Sequence, residues 1–86
     1  FTRLIMYKNK FDSRNNIAGI NIRKLRLSYK ENLSQRALAS KMQLHGIDID
    51  KNAIQRIESG ARFITDIELK QFADFFDTTV DELLKL

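Results

Sequence analysis

The sequence predicts an all-α domain, a bundle of five short helices. Three observations carry that prediction. The chain has no proline and only 3 glycines, so little in it breaks a helix. From Ala18 onward its apolar residues recur at intervals of three and four, the period of one helix face. A residue able to cap a helix N-terminus precedes each of these runs.

The first helix follows Asn16, a good N-cap. Ala18, Ile22, Leu25 and Tyr29 then fall on one face, and Lys30, Glu31 and Asn32 end the helix. Ser34 caps the second, whose inner face is Leu38, Ala39 and Met42. It runs on through Leu44, with Gly46 as its C-terminal stop. Asp50 caps the third helix, which buries Ala53, Ile54 and Ile57 and ends at Gly60. Thr65 and Glu68 fit a capping box, in which each side chain bonds the other's backbone N–H. Leu69, Phe72, Ala73 and Phe76 follow as the inner face of the fourth helix. Thr79 and Glu82 repeat the box for a fifth, which buries Val80, Leu83 and Leu84.

Residues 1–16 show no clear period and read as an N-terminal arm, loose or packed, with a polar, turn-prone DSRNN run. The chain starts at Phe1; Met6 is a candidate native start, which would make Phe1–Ile5 vector-derived. The 86 residues suit one small domain over 17–86, and a 43% hydrophobic fraction suits one core.

Composition narrows the function. With no cysteine, neither a disulfide framework nor a thiolate metal site is available, and a cytoplasmic chain is expected. No apolar run approaches the roughly 20 residues of a membrane span. FTRLIM is too short for a signal peptide and carries an Arg. His45 is the only histidine, so it has no second His or Cys for metal binding and reads as a loop or partly buried residue. Asp48 and Asp50 lack the spacing of a calcium loop. No phosphate loop or nucleophile motif is present. Neither an enzyme nor a cofactor or metal is expected.

Charge is unevenly spread. Residues 1–62 hold 13 Lys/Arg against 5 Asp/Glu, a balance of +8, whereas residues 63–86 balance at −4. A basic body with an acidic end suits a polyanion on one side of the domain.

The span from Ser34 to Gly60 holds the candidate site. Beside its apolar face, the third helix carries Lys51, Asn52, Gln55 and Arg56. Asn and Gln can bond adenine edges in pairs, and Arg or Lys can bond guanine O6 and N7. The same residue types also make ordinary polar surface. The second helix strengthens the reading. Ser34 and Gln35 stand at its start, where free backbone N–H groups and the positive dipole end can meet a phosphate.

The stretches NIRKLRLSYKENLSQRALASKM, KNAIQRIESGAR and TDIELKQFADFFDTTVDELLKL, in this order, resemble the Cro/phage-repressor type of helix-turn-helix domain, the XRE family. The resemblance covers about residues 17–86. It implies a five-helix bundle binding duplex DNA, usually as a homodimer on a near-palindromic site. The third helix would lie in the major groove and the second across the backbone. It implies base contacts by Lys51, Asn52 and Arg56, with Gln55 beside them, and phosphate contacts by Gln35 and Arg62. Asp50 stands where the family often has Ser or Thr on phosphate; an Asp there would repel phosphate unless its carboxylate is tied up in capping. Arg26 and Glu58 match a structural pair of some members. Two features depart from the pattern. The link between the first two helices is about two residues longer than usual, and the turn QLHGIDID (residues 43–50) is several residues longer. Ile47 and Ile49 alternate with Asp48 and Asp50 there, and are expected to pin the turn to the core.

Phe72, Phe75 and Phe76 beside Leu83, Leu84 and Leu86 offer more apolar surface than one small bundle needs, so residues 72–86 are also a candidate dimer face. Two functions stay open at this point. One is a sequence-specific DNA-binding transcriptional regulator, a repressor. The other is a protein-interaction module on the same fold, adaptor- or antitoxin-like, that does not read DNA.

Overall fold

The computed structural model describes residues 10–30 and 32–86. Residues 1–9 of the expected arm, Met6 among them, and Glu31 lie outside the described residues. The elements are α1 (Ala18–Ser28), α2 (Gln35–Leu44), α3 (Lys51–Ser59), α4 (Asp66–Phe75) and α5 (Val80–Leu83). The fold is the expected five-helix, all-α domain. Among the described residues there is no strand, only an antiparallel bridge between Phe11 and Arg14.

Capping follows the sequence closely, because each cap is a local bond between residues three apart. The exception is α1, whose N-cap position is Ile17 without a side-chain cap bond, one residue later than expected; Asn16 Oδ1 still accepts from the Gly19 N–H at 2.8 Å. Ser34 Oγ accepts from Ala37 N–H at 3.0 Å. Thr65 and Glu68 close the full capping box. Thr79 accepts from Glu82 N–H at 3.1 Å, but the expected second box is only half made. The Glu82 carboxylate turns to Lys85 Nζ at 2.6 Å, a nearer cation on the helix surface.

The core draws on every helix. Ala18 and Ile22, Leu38, Ala39 and Met42, Ile54 and Ile57, Phe72 and Ala73, and Leu83 are all buried, and Ile49 joins them from the α2–α3 turn. Each large apolar side chain so buried contributes about 1.5–3 kcal/mol relative to exposure. Leu25, Ala53, Leu69, Phe76 and Val80 pack around this centre half-buried. Leu84, expected inside, is 42% exposed, because the four-residue α5 ends just before it.

α3 packs against both α1 and α2. The crossing with α1 depends on Gly19, where an added Cβ would collide with the Ile57 carbonyl oxygen. Most of the Phe-rich surface is consumed inside the molecule. Tyr29 stacks on Phe75 at 5.2 Å between ring centroids, and Phe76 meets both rings edge-on at 6.0 and 4.9 Å. Within residues 72–86 the apolar side chains left exposed are Leu84 and Leu86.

Arg26 and Glu58 are buried and paired. Arg26 Nε and Nη2 meet the two Glu58 oxygens at 2.6 and 2.9 Å, and Nη1 donates to Leu33 O at 2.8 Å. Gln35 Nε2 donates to Glu58 Oε1 at 3.0 Å. One node thus ties α1, α2, α3 and the α1–α2 link together. Removing one partner strands a buried charge. Arg26→Met should cost about 3–5 kcal/mol, whereas Lys85→Ala on the exposed pair should cost at most about 1 kcal/mol. Urea denaturation of the two variants measures the contrast, and equal losses would refute it.

Candidate nucleic-acid interface

α3 is held at its start, along its inner face and at its end. At the start, Asp50 Oδ1 accepts from Ala53 N–H at 2.8 Å. The carboxylate is tied up in capping, where the positive end of the helix dipole favours it. At the end, Gly60 takes a φ of 88°, a left-handed conformation that glycine adopts without a Cβ clash. The Gly60 and Ala61 N–H groups then close back onto Ile57 O and Arg56 O at 3.1 and 2.9 Å. Between the ends, Ile54, Ile57 and Glu58 are buried.

The helical period sends the other residues outward. At about 100° per residue, Lys51, Asn52, Gln55 and Arg56 fall on one continuous face. All four are exposed. Among the described residues, none of the four side chains makes a hydrogen bond or an ion pair. Beside this face lies a shallow depression lined by Asp50, Asn52, Ala53, Arg56 and Arg62.

The α2–α3 turn that aims α3 is braced rather than loose. Ile49 is fully buried and Ile47 half-buried, as the alternation of Ile and Asp suggested. Ile47 N–H closes onto Met42 O at 3.1 Å, and Gln43 Nε2 donates to Ile49 O at 2.9 Å. His45 is exposed in the turn, its ring edge-on to Phe75 at 5.9 Å.

Ser34 stands exposed at the start of α2 with its oxygen engaged in capping. Two other residues assigned to phosphate have internal partners that the sequence reading did not foresee. Gln35 is half-buried, with one amide hydrogen committed to Glu58. Arg62 is half-buried and paired. Its two terminal nitrogens meet the two Glu68 oxygens at 2.9 Å each, and Nη1 also donates to Phe63 O at 3.1 Å. A guanidinium fork matches a carboxylate edge so well that the nearer carboxylate wins over open solvent. The hydrogen bond to Glu68 raises the Arg62 pKa, with Asp50 adding to the effect. Arg62 therefore offsets Glu68 in the first turn of α4, with a smaller attraction to Asp50 at the start of α3.

Sequence reasoning also missed what holds the far end of α3. Arg14, Asn15 and Asn16 cover that end with hydrogen bonds. Their polar run carries no period, and nothing local marks partners more than forty residues away.

A family model described as helix-turn-helix matches residues 22–83. The chain belongs to the Cro/C1-type helix-turn-helix family, the XRE family. No curated protein and no solved structure matches the chain. Membership makes α2 and α3 the helix pair of a helix-turn-helix domain from a family of DNA-binding transcription regulators. The match covers all of α2 to α5 and most of α1, and it excludes the Arg14–Asn16 segment. No helix of the helix-turn-helix domain, among the described residues, is long and apolar enough to cross a membrane.

The Arg62–Glu68 pair gives the helix-turn-helix domain a pH signature. The hydrogen bond from Arg62 is the main reason the Glu68 pKa lies below its ordinary 4.5. A carboxylate with a depressed folded pKa stabilises the fold above its unfolded value, and that contribution is lost as pH falls through the folded value. Thermal midpoints of the parent should therefore fall below pH 4.5, and Glu68→Gln should flatten part of that acid limb. Superimposable acid limbs for the two proteins would show that the pair contributes nothing.

Proposed function

We propose that this chain is a sequence-specific transcriptional regulator, a repressor, that inserts α3 into the major groove of duplex DNA. The observation that carries the reading is the outward face of α3. Four side chains able to bond base edges stand exposed, without partners among the described residues, on a helix whose other faces and both ends are fixed. Asn52 and Gln55 suit adenine, and Lys51 and Arg56 suit guanine. Fixed placement matters because base discrimination requires donors and acceptors at set positions. Ser34, Gln35 and the N-terminal turn of α2 then meet the adjacent phosphates. For Gln35 the second Nε2 hydrogen is the one available. We assign Arg62 to supporting the α3–α4 segment rather than to phosphate, since a new contact would have to displace Glu68.

A homodimer on a near-palindromic site fits this mode, because one short helix reads only a few base pairs. Within residues 72–86, Leu84 and Leu86 are the exposed large apolar side chains that would contribute to the self-contact. A cytoplasmic location fits a duplex DNA partner. Occupying a site excludes other proteins from it, which is the simplest route to repression.

Selection of bound sequences from random duplexes should yield a short site with two-fold symmetry. On that site, Lys51→Ala, Asn52→Ala or Arg56→Ala should each cost about 1–3 kcal/mol and relax the preference at one base step. Gln35→Ala should weaken all duplexes about equally. Affinity should fall steeply with salt, as counterion release requires. Sequence preference left intact by all three α3 variants would overturn the assignment of α3. Negligible, salt-independent binding would instead favour a protein-interaction module on the same fold.

A further inference from the structure

The C-terminal end of α3 is closed by a segment outside the family match. Phe11 and Arg14 pair backbone to backbone at 2.8 and 2.7 Å around a two-residue turn. Asp12 and Ser13 take φ values of 51° and 70° in that turn. Such left-handed pairs suit the tightest hairpins, though Gly and Asn adopt them more readily than Ser. The turn delivers three consecutive polar residues to the end of α3.

Those residues satisfy carbonyls along the whole helix exit. Arg14 Nη2 donates to Glu58 O at 2.9 Å and to Ile57 O at 3.3 Å. Asn15 donates its backbone N–H to Gly60 O at 2.8 Å and Nδ2 to Ala61 O at 3.1 Å. Asn16 Nδ2 donates to Ile57 O at 3.0 Å and to Arg62 O at 2.7 Å. Arg14 Nε also donates to Asn16 O at 3.0 Å, which locks the donors to one another. The missing side chain of Gly60 makes room, since a Cβ there would meet the Arg14 side chain at 2.8 Å. The cation also faces the negative end of the α3 dipole, where it is favoured.

We propose that Arg14 and Asn16 are positioning residues for DNA reading: they clamp the C-terminal end of α3 and so set its angle to the bundle. The proposal rests on the assignment of α3 to the major groove. The Arg26–Glu58 node fixes α3 near Glu58 on its inner side. The node holds the Glu58 side chain, whereas Arg14 and Asn16 hold the backbone carbonyls of that last turn and of Arg62 beyond it, so the exit of α3 is gripped from two sides. Asn16 serves two helices at once, because its oxygen caps α1 while its nitrogen holds α3.

That double role supplies the test. Asn16→Asp keeps an acceptor for the Gly19 N–H and removes the donor to Ile57 O and Arg62 O. Arg14→Ala removes the other half of the clamp. Each variant is measured in the full chain for binding to the selected duplex and to random duplex, with thermal midpoints recorded. Residual dipolar couplings of the α3 and α1 amides, taken without DNA, report the angle between the helices. Both variants should stay folded at the assay temperature and show a changed α3 angle. Their selected-over-random ratio should fall by about tenfold or more, the equivalent of one lost base contact. An unchanged α3 angle overturns the proposal, and so does an unchanged ratio in the face of a changed angle. A fall in binding to both duplexes that tracks the unfolded fraction assigns the segment to stability alone and also overturns it. If the parent protein itself prefers no duplex, the DNA reading fails, and the couplings still decide whether the segment aims α3.

Discussion

The buried contact of Arg26 with Glu58 is the interaction on which the rest of the structure depends. Two charges taken out of water cost several kcal/mol each before compensation. The compensation here is geometric. Both carboxylate oxygens face the guanidinium, the remaining terminal nitrogen of Arg26 finds Leu33 O, and Gln35 adds a third donor to Glu58. Apolar residues could fill the same space with equal stability, but they would not fix direction. Directional bonds to Glu58 set the rotation of α3 about its own axis. Once Glu58 points inward, Lys51, Asn52, Gln55 and Arg56 must point outward.

The remaining features of α3 extend that constraint. Asp50 holds the first turn, the buried Ile49 ties the incoming turn to the core, and Arg14 to Asn16 hold the last turn. Charge is arranged by the same logic. Arg62 sits between carboxylates and is largely offset by Glu68, while Lys51 and Arg56 keep their charge toward solvent. Lys51 and Arg56 thus leave positive charge on the exposed face of α3.

Much of this was legible in the sequence, for identifiable reasons. Helices and caps depend on residues three and four apart, so Ser34, Asp50, Thr65 and Gly60 marked boundaries that the structure keeps. The alternation of Ile47 and Ile49 with Asp48 and Asp50 foretold which side of the long turn is buried. Long polar side chains were less legible, because several partners lie within reach of each. Glu82 was read toward its own cap and pairs with Lys85. Arg62 was read toward phosphate and pairs with Glu68. Gln35 was read outward and turns half inward to Glu58. The Asn16 cap was visible, but the second use of the same side chain was not.

By itself the sequence determined the all-helical class, the order of the helices, the composition of the core and the face of α3 that carries polar side chains. Those properties follow from local periodicity and from the free energy of burying apolar surface. The family resemblance added the Arg26–Glu58 pairing. Only the tertiary structure decided which carboxylates the Arg62 and Lys85 cations pair with, how the long turn is braced, and that a segment before α1 closes the end of α3. Each of these turns on contacts between residues far apart in the chain. Their energy depends on distances and angles that exist only once the helices have packed.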